Sequence, residues 1–557
     1  MKQGKLMKVL LSFTLFIALS SANTQATNLP SPQQLEQHIK SLVPEVVTDS
    51  TPGFVVGVYR GGQLIYGKGF GLANLSYKIP NDISLVYNIG STTKQFIGYG
   101  FAMLHVQGKL DLDTPVHELL DDWPQFEHTV TVRHLLTHTS GYREAYTTSN
   151  IVGRYIGVDR LSREECLEVI RRQPKLEFTP GSKFVYNSTA WVVLAEIMEK
   201  VTGSAADVWV TENILKPLKM NDTQIETNVG QVIKDGAESY YLSPDDKLIN
   251  AKSNRAIFGA SDIYTNIKDM GQWFANFKSA EVGSEQAREL FLTSFQLNSG
   301  YDSQYALGIF VNQYKGLKRY THGGAHEAFL TQFSYFPEHD LGIFIVSNFG
   351  RRKSISDTDI ADFMLGDFMS EDIQAKSLIT STEAELTPFT GLFVSDSYNS
   401  VVKLGVKDNS LMWDGKHQLL QTTSTSFQTQ SGDSNLTFSG DSAEYDTLIL
   451  INRWKTKFNR VEPWEPTSEE LKQYSGNYWS KELEAAYEVS VVDQKLKINH
   501  RWADEMILKP VTQDFFSNGW LHLRFDRNDN NQIMQISVNS SRTVDIILDK
   551  VDKPLSR

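Results

Sequence analysis

The sequence has very little cysteine, since Cys166 is the one cysteine among 557 residues. A single cysteine excludes an intramolecular disulfide. The fold must therefore depend on buried apolar cores, which a chain of this length can build. We expect Cys166 to be a small buried apolar residue rather than a nucleophile. Because no cysteine follows the N-terminal apolar segment, a lipid-anchored lipoprotein is not indicated.

Positive charge is also scarce. The chain has 54 lysines and arginines against 66 aspartates and glutamates, and its formal net charge is -12. General binding of nucleic acid needs a basic surface, and the sequence contains no basic stripe. We therefore expect no nucleic-acid partner.

After the N-terminus, the sequence lacks apolar runs long enough to span a bilayer. It begins with "MKQGKLMK", continues with the apolar "VLLSFTLFIALS", and then has small residues in "SANTQA" at the spacing of a signal-peptidase site. The apolar run is shorter than the roughly 20 residues of a membrane helix. The pattern predicts a signal peptide at residues 1–26, cleaved after Ala26 or Ala22, and a secreted or periplasmic protein without a membrane span after cleavage.

Strand and helix patterns are mixed over residues 27–375. Segments 52–74 and 329–349 each contain two β-rich runs around a turn, which predicts hairpins. Between them, "KQFIGYGFAMLHVQGKL" and "TAWVVLAEIMEKVTG" have apolar residues at helical spacing and predict helices that end at Gly108 and Gly203. We expect an α+β domain with an antiparallel sheet flanked by helices.

The C-terminal third contains an internal repeat. "ELTPFTGLF" begins at Glu385 and "ELKQYSGNY" begins at Glu470. The same offset relates further similar residues: Leu404 and Val489, Val406 and Val491, Asp408 and Asp493, Leu411 and Leu496. Short alternating runs favour small antiparallel barrels. We expect β-barrel domains at residues 385–465 and 467–557, joined by the linker in "EPWEPTSEE".

The stretch "NIGSTTKQFIGYG" places Ser91 one helical turn before Lys94. At the start of an apolar helix, the N–H of Ser91 is among the unpaired donors of the first turn. The positive end of the helix also favours an oxyanion. A lysine held there away from water would favour its neutral form, which is able to take a proton. S-x-x-K alone is a weak signal, because a second copy at Ser400–Lys403 lies in an expected barrel strand.

Two later stretches strengthen this interpretation. "TPGSKFVYNSTAW" places Tyr186 and Ser188 before an apolar helix, and "YTHGGAHEAF" places His322 before the second hairpin. The order S-x-x-K, Y-x-[NS], H-x-G resembles the penicillin-recognising serine hydrolases, which include class C β-lactamases, D-alanyl-D-alanine carboxypeptidases, D-aminopeptidases and related esterases. A catalytic domain followed by two barrels resembles bacterial D-aminopeptidases in particular, in which a barrel loop reaches the active site.

The resemblance implies a role for each of these residues. Ser91 would attack a carbonyl and form an acyl-enzyme, while Lys94 and Tyr186 share the proton transfers. A nearby lysine cation would lower the pKa of the tyrosine, which at its ordinary value is too high for a base at neutral pH. The backbone N–H groups of Ser91 and Ala325 would form the oxyanion hole. The remaining substrate-binding positions implied by the resemblance are Ser188, His322, Gly323 and Gly324.

One position departs from the family pattern. Many relatives have asparagine two residues after the tyrosine, where this chain has Ser188. A serine can still form a hydrogen bond with Lys94, but it lacks the amide that holds a penicillin side chain. This difference disfavours an efficient β-lactamase and leaves a peptidase or an esterase.

The other candidate residues have ordinary structural explanations. His134 and His138 have a spacing that can bind zinc on a helix, but neither an adjacent glutamate nor a third ligand is evident. The stretch "DRNDNNQ" at 526–532 has side-chain oxygens of the kind that bind calcium, but it also fits a plain hairpin turn. We expect no metal and no cofactor. His326 and Glu327 follow the third motif. The sequence leaves open whether they line the pocket or lie in a surface loop.

The sequence therefore predicts an exported bacterial serine hydrolase that acts on small peptides, amides or esters. Peptides that contain D-amino acids are the favoured substrates, with aminopeptidase and carboxypeptidase action both open. The alternatives are a carboxylesterase or weak class C-like β-lactamase, or a protein that binds cell-wall peptides or penicillin without turnover. Homodimerisation is also open.

Overall fold

The computed structural model describes most of the chain, over residues 29–155, 158–350, 354–370, 379–430, 434–441, 443–452, 455–500 and 503–552. The expected signal peptide lies outside these residues. Within them, no helix combines the length and the apolar character that a bilayer span requires.

The N-terminal part combines helices with an antiparallel sheet. Its helices are α1 Pro32–Leu42, α2 Lys94–Val106, α3 Val116–Leu119, α4 Val132–Leu136, α5 Ala145–Ile151, α6 Arg163–Arg171, α7 Thr189–Thr202, α8 Ala206–Val210, α9 Ile267–Ser279, α10 Glu285–Phe291 and α11 Asp357–Leu365. Its strands are β1 Phe54–Arg60, β2 Gln63–Phe70, β3 Leu72–Asn74, β4 Ile79–Pro80, β5 Tyr87–Asn88, β6 Gln224–Ile225, β7 Tyr240–Leu242, β8 Leu248–Asn250, β9 Ile263–Thr265, β10 Phe310–Tyr314, β11 Leu317–His326, β12 Phe329–Phe336 and β13 Leu341–Ser347.

The main sheet has six strands in the order β10-β11-β12-β13-β1-β2. Both hairpins expected from the sequence are present, and β1 of the first pairs antiparallel with β13 of the second. The sheet thus joins segments from the two ends of this part of the chain, and the helical region lies between them in sequence. This arrangement confirms the α+β fold.

Two helices expected from apolar spacing are present and carry the site. α2 is followed by Gly108 and α7 by Gly203, both with positive φ, where glycine ends a helix at little cost. α2 is buried on all sides from Lys94 to Leu104. A helix that is apolar all round is one that other elements cover completely, and the first turn of α2 therefore lies in the interior.

Two closed antiparallel barrels of eight strands each follow. The first is preceded by α12 Glu383–Leu386 and consists of β14 Gly391–Ser395, β15 Val401–Lys407, β16 Ser410–Trp413, β17 His417–Gln421, β18 Ser426–Thr429, β19 Asn435–Ser439, β20 Thr447–Ile451 and β21 Lys455–Val461. The second is preceded by α13 Ser468–Lys472 and consists of β22 Gly476–Ser480, β23 Ala485–Val492, β24 Lys495–His500, β25 Ala503–Thr512, β26 Phe515–Ser517, β27 His522–Arg527, β28 Ile533–Ser540 and β29 Thr543–Val551.

The repeat found in the sequence has matching structure in the two barrels. Glu385 and Glu470, which open the two copies, each complete a capping box with a threonine that precedes the short helix. Leu411 and Leu496, at the same offset, both lie in the apolar core of their barrel. The expectation of two barrels is therefore confirmed.

The second barrel is docked on the N-terminal domain through a buried arginine. The guanidinium of Arg143 forms ion pairs with Glu177 at 2.9 Å and with Glu482 of the barrel at 2.7 Å, and all three side chains are less than a tenth exposed. It also donates hydrogen bonds to the carbonyls of Val544 and Asp545 on β29. An arginine fork can satisfy several acceptors at once, and here it fixes the β29 backbone against the domain.

An apolar contact reinforces this docking. Ile151, the last residue of α5, is fully buried and belongs to the apolar core of the second barrel. Its carbonyl accepts a hydrogen bond of 2.7 Å from the hydroxyl of Tyr487 on β23. The core of the second barrel is therefore continuous with buried surface of the N-terminal domain at the end of α5.

Candidate active site

Ser91 lies in a single 3-10 turn, Gly90–Thr93, immediately before α2. Gly90 has a φ of 52°, and a Cβ built on it would lie 2.5 Å from the backbone nitrogen of Ala325. The turn can therefore approach β11 this closely only because residue 90 is glycine. This approach brings the two residues expected to supply oxyanion donors, Ser91 and Ala325, to the same place.

Lys94 is fully buried at the start of α2, with Ser91 one turn before it. Its Nζ atom lies 3.1 Å from Oγ of Ser91 and 2.7 Å from the carbonyl oxygen of Ala260. Burial, together with the positive charge of Arg542, lowers the pKa of Lys94 to about 7. The lysine can therefore exchange protons with Ser91 at neutral pH.

Tyr186 lies just before α7 and faces the same lysine. Nζ of Lys94 lies 5.1 Å from the centre of the Tyr186 ring. The same ring stacks on His138, with centroids 4.0 Å apart and planes 30° from parallel. The ring is thus held between neighbours, and the hydroxyl, the ammonium and the phenol of the three motif residues are brought into one region.

Of the two residues after Tyr186, Asn187 has a structural role and Ser188 faces the cavity. The buried side chain of Asn187 donates to the carbonyl of Tyr142 at 2.6 Å and accepts from the N–H of Ala190 at 2.9 Å, so it connects the "SGYRE" segment to α7. Ser188 lines the active-site cavity. In the described part of the chain, the hydroxyl of Ser188 does not form the expected hydrogen bond with Lys94, whose acceptors are Ser91 and Ala260.

His322 on β11 belongs to a buried chain of hydrogen bonds. Nε2 of His322 and Nε2 of His138 each lie 3.2 Å from the hydroxyl of Tyr305. Nδ1 of His138 accepts from the N–H of Asn187 at 2.9 Å, so its proton is on Nε2 and is donated to Tyr305. The Tyr305 hydroxyl then donates to His322, whose Nδ1 proton is directed to the Gly323 carbonyl at 2.6 Å. The network therefore assigns one tautomer to each histidine.

Gly323 and Gly324 have different surroundings. A Cβ on Gly324 would lie 2.0 Å from the carbonyl oxygen of Ile89 and 2.2 Å from Oγ1 of Thr331, whereas a Cβ on Gly323 would meet no atom closer than 3.5 Å. Gly324 is thus required by the close packing of β11 against the Ser91 turn. A need for space beside a substrate backbone therefore does not explain Gly324, but it is compatible with Gly323, which lines the cavity.

These residues line one cavity of about 1030 Å³. Its walls include every site residue expected from the sequence except Lys94, which lies beneath Ser91: the lining contains Ser91, Tyr186, Ser188, His322, Gly323, Gly324 and Ala325. A volume of this size accommodates a small peptide.

The residues after the third motif line or support the cavity. Glu327 lines it and forms an ion pair of 3.2 Å with Arg255, and both side chains are less than a tenth exposed. His326 is buried, and its Nε2 lies 3.0 Å from the hydroxyl of Ser253. Of the two open interpretations, a place at the pocket is the one observed for Glu327.

His134 and His138 do not form a zinc pair. α4 ends at Leu136, and His138 lies beyond it with a φ of 58°. His134 forms a capping box with Thr131, and burial lowers its pKa to about 4. In the described residues, one group of potential metal ligands is found elsewhere, at Glu226, Asp262 and His326. Arg255 lies 3.5 Å from Nδ1 of His326, and a cation so close disfavours a metal ion there.

Several residues of the site were not predicted from the sequence. Arg542, on the turn between β28 and β29, lines the cavity, and its guanidinium lies 5.2 Å from the centre of the Tyr186 ring. His138 and Tyr305 also lie outside the three motifs. The segment "THTSGYRE" contained the signal for His138, but nothing in the sequence connects Tyr305 or Arg542 to Ser91, because only the folded chain brings them there.

A family model described as Beta-lactamase matches residues 35–362, more than half of the chain. The chain belongs to the beta-lactamase family. Membership confirms the resemblance drawn from S-x-x-K, Y-x-[NS] and H-x-G, and it covers the N-terminal domain that contains all three motifs.

Similar proteins include penicillin-binding proteins and a D-aminopeptidase. PbpX of Bacillus subtilis (strain 168) is 28% identical over 262 residues, which are 46% of this chain and 61% of PbpX. A D-aminopeptidase of Cereibacter sphaeroides (strain ATCC 17029 / ATH 2.4.9) is 24% identical over 298 residues, which are 53% of this chain and 57% of that protein. Both matches span less than two thirds of the relative's length.

A solved structure extends the likeness in fold. An octameric penicillin-binding protein homologue from Pyrococcus abyssi superposes with a TM-score of 0.53 at 21% identity, covering 77% of this chain and 99% of that chain. At this identity, the likeness concerns the fold alone.

Proposed function

We propose that this protein is a serine hydrolase that forms an acyl-enzyme on Ser91 and acts on small peptides or amides that contain D-amino acids. The observation that carries the proposal is the distance of 3.1 Å between Nζ of the buried Lys94 and Oγ of Ser91, at the wall of the cavity. A base whose pKa is about 7 is available in both protonation states at neutral pH.

The reaction proceeds in two halves. Lys94 takes the proton of Ser91 while Oγ forms a bond to the substrate carbonyl carbon, and the oxyanion is held by the N–H groups of Ser91 and Ala325. The bond to the leaving nitrogen breaks, and that nitrogen receives its proton from Tyr186, which is replenished from Lys94. Water then attacks the ester with the same groups as base and acid, releasing the carboxylic acid and restoring the Ser91 hydroxyl.

The chemistry of the site and the relatives support D-amino-acid substrates over β-lactams. Ser188 stands where an amide would grip a penicillin side chain, and it is not bonded to Lys94 among the described residues. A D-aminopeptidase is among the relatives at 24% identity. Export to the periplasm or the medium belongs to the same proposal, since the N-terminal sequence has the pattern of a cleaved signal peptide. N-terminal sequencing of the mature protein tests it, with Thr27 as the expected first residue.

A substrate panel tests the catalytic proposal. Purified protein is assayed on the p-nitroanilides of D- and L-alanine, a D-alanyl-D-alanine peptide, a chromogenic cephalosporin and a short-chain p-nitrophenyl ester. We expect turnover of D-configured peptides or amides, and loss of that turnover in Ser91→Ala. Ser400→Ala, which alters the other S-x-x-K serine on the first barrel, is the matched control and keeps full activity.

Other results would contradict parts of the proposal. Hydrolysis of the ester alone would identify a carboxylesterase, and hydrolysis of the cephalosporin as the preferred substrate would identify a β-lactamase. A single stoichiometric burst without turnover would identify a binding protein. Labelling of Ser400 rather than Ser91 by an irreversible organophosphorus probe would exclude the assigned nucleophile.

A further inference from the structure

Arg542 brings a positive charge from the second barrel into the wall of the active-site cavity. The residue lies in the two-residue turn Ser541–Arg542 between β28 and β29, and its side chain is exposed. Its guanidinium lies 5.2 Å from the centre of the Tyr186 ring, on the cavity side of the catalytic lysine. A charged group at this place meets any substrate that reaches Tyr186.

Arg542 differs from the other arginine of the cavity in its partners. Arg255 is buried and its charge is matched by Glu327 at 3.2 Å. Among the described residues, no carboxylate lies within 4.0 Å of the Arg542 guanidinium. The cavity therefore contains one arginine whose charge is balanced internally and one whose charge is available to a substrate.

Hydrogen bonds to the N-terminal domain and within the hairpin hold the backbone next to Arg542 in place. Two and three residues after it, the carbonyls of Val544 and Asp545 accept hydrogen bonds from the buried Arg143. The N–H of Val544 donates to Glu177 at 3.2 Å, and the N–H of Asp545 donates to Asn539 at 2.9 Å within the hairpin. A turn fixed in this way already holds the backbone of Arg542 at the cavity, so that only the side chain must be ordered on binding.

We propose that Arg542 receives a carboxylate carried by the leaving group of the substrate, so that the second barrel selects substrates with a free C-terminal carboxylate. The planar guanidinium fork matches a carboxylate with two parallel hydrogen bonds. Arg542 adjoins Tyr186, which in the proposed function protonates the leaving nitrogen, and this proximity places the carboxylate on the leaving-group side. The same charge repels a free amine there.

The inference rests on the proposed function for the reaction itself. It narrows the proposed activity to that of a carboxypeptidase, whose substrates end in a free carboxylate. Ser91 forms its ester with the acyl group, the bond to the terminal residue breaks, and that residue departs with its carboxylate unchanged and its nitrogen protonated by Tyr186. Arg542 takes no part in bond making. It orients the leaving residue and is a specificity-determining residue.

A matched pair of thioesters tests this role. N-acetyl-D-alanyl thioglycolate has a carboxylate on its leaving group, and the corresponding thioglycolamide has a neutral amide at the same place. The ratio of kcat/KM for the two substrates, followed by release of the thiol, measures carboxylate selection alone. The L-alanyl pair measures the preference for D-configuration separately, so that a failure of the proposed substrate class is distinguishable from a failure of this inference.

We expect the wild-type protein to prefer the carboxylate, and Arg542→Gln to reduce the preference about 10- to 100-fold, the range of a charge-assisted hydrogen bond. Arg542→Lys should retain part of the preference, since it keeps the charge and loses the fork. Arg524→Gln removes the same charge from the same barrel at a residue outside the cavity lining and should leave the ratio unchanged.

A binding measurement keeps the inference testable if turnover is absent. Ser91→Ala protein should bind an acetylated D-alanyl-D-alanine carboxylate more tightly than its amide by calorimetry, and the added Arg542→Gln change should remove the difference. Equal kcat/KM for the carboxylate and the amide thioester in the wild-type protein would overturn the assignment. An unchanged kcat/KM ratio in Arg542→Gln with unaltered melting temperature would also overturn it.

Discussion

The Nζ atom of Lys94 lies 3.1 Å from Oγ of Ser91. The 3-10 turn that contains Ser91 continues directly into α2, which sets this distance, and burial keeps water away from Lys94. The lysine is therefore expected to act as the base that activates the serine. Lys94→Met should lower kcat about 100- to 10,000-fold, as expected for loss of a general base, with turnover of the D-peptide substrate as the measurement. A loss below 10-fold would assign the base to another group.

The pKa of Lys94 predicts how activity depends on pH. Because burial and the charge of Arg542 lower this pKa to about 7, the neutral base is present above pH 7 and is lost as the pH falls through that value. We expect kcat/KM to rise with pH around a midpoint near 7. Arg542→Gln removes a nearby cation. Without that cation the protonated form of Lys94 is less disfavoured, so its pKa rises and the midpoint should move to higher pH. Arg524→Gln should leave the midpoint in place, and a downward shift in Arg542→Gln would contradict the electrostatic explanation.

We predict that Tyr305 is a positioning residue, because its hydroxyl contacts His322 while Tyr305 itself is not among the residues that line the cavity. Tyr305→Phe removes the hydroxyl that receives the proton of His138 and donates to His322. The loss leaves one buried acceptor and one buried donor without a partner, and we expect kcat/KM to fall about 10-fold, the value of one hydrogen bond. NMR of the imidazole nitrogens should show that Nε2 of His322 loses a hydrogen bond, while its proton stays on Nδ1 with the Gly323 carbonyl as acceptor. Tyr314→Phe, which removes a hydroxyl bonded to Asp362 outside the cavity, is the control, and an unchanged Nε2 resonance in Tyr305→Phe would contradict the assigned network.

The two glycines of the third motif should tolerate a methyl group very differently. Gly324→Ala places Cβ against the Ile89 carbonyl and the Thr331 hydroxyl, and we expect a loss of about 1–3 kcal/mol or more in the free energy of unfolding. Gly323→Ala meets no atom closer than 3.5 Å and should cost less than about 1 kcal/mol. Urea denaturation of both variants measures the difference. Equal stability would show that β11 can move away from the Ser91 turn.

The buried arginine between domain and barrel should contribute much more to stability than its exposed neighbour. Arg143→Met leaves Glu177 and Glu482 buried without their cation, and we expect a cost of about 3–5 kcal/mol. Arg172→Met removes an ion pair of 3.2 Å with Glu484 across the same interface, but both side chains are more than 40% exposed, so the cost should be below about 1 kcal/mol. Similar losses in the free energy of unfolding of both variants, measured by urea denaturation, would contradict a special contribution from the buried ion pairs of Arg143.

The sequence predicted the parts of the fold that local patterns determine. Periodicity and terminal glycines located α2 and α7, and the offset between Glu385 and Glu470 revealed the two barrels. The three motifs also indicated Ser91, Tyr186 and His322 as candidate site residues, because they match the family pattern in that order, and the structure places all three in the wall of one cavity.

Other features depend on contacts between distant segments. Arg542 follows Ser91 by most of the length of the chain, and only the docking of the second barrel brings it to Tyr186. Tyr305 has no motif of its own, and its role follows from two histidines that meet it in three dimensions. The reason for Gly324 likewise appeared only when β11 was seen to press against the Ser91 turn.

The insertion of Ile151 into the core of the second barrel has a consequence for how substrates enter. Separating the second barrel from the N-terminal domain would expose this isoleucine and the surrounding apolar surface to water. Because that exposure is unfavourable, the barrel is not expected to open and close as a lid. We therefore expect the second barrel to stay docked whether or not a substrate is bound, so that Arg542 keeps its place in the cavity wall.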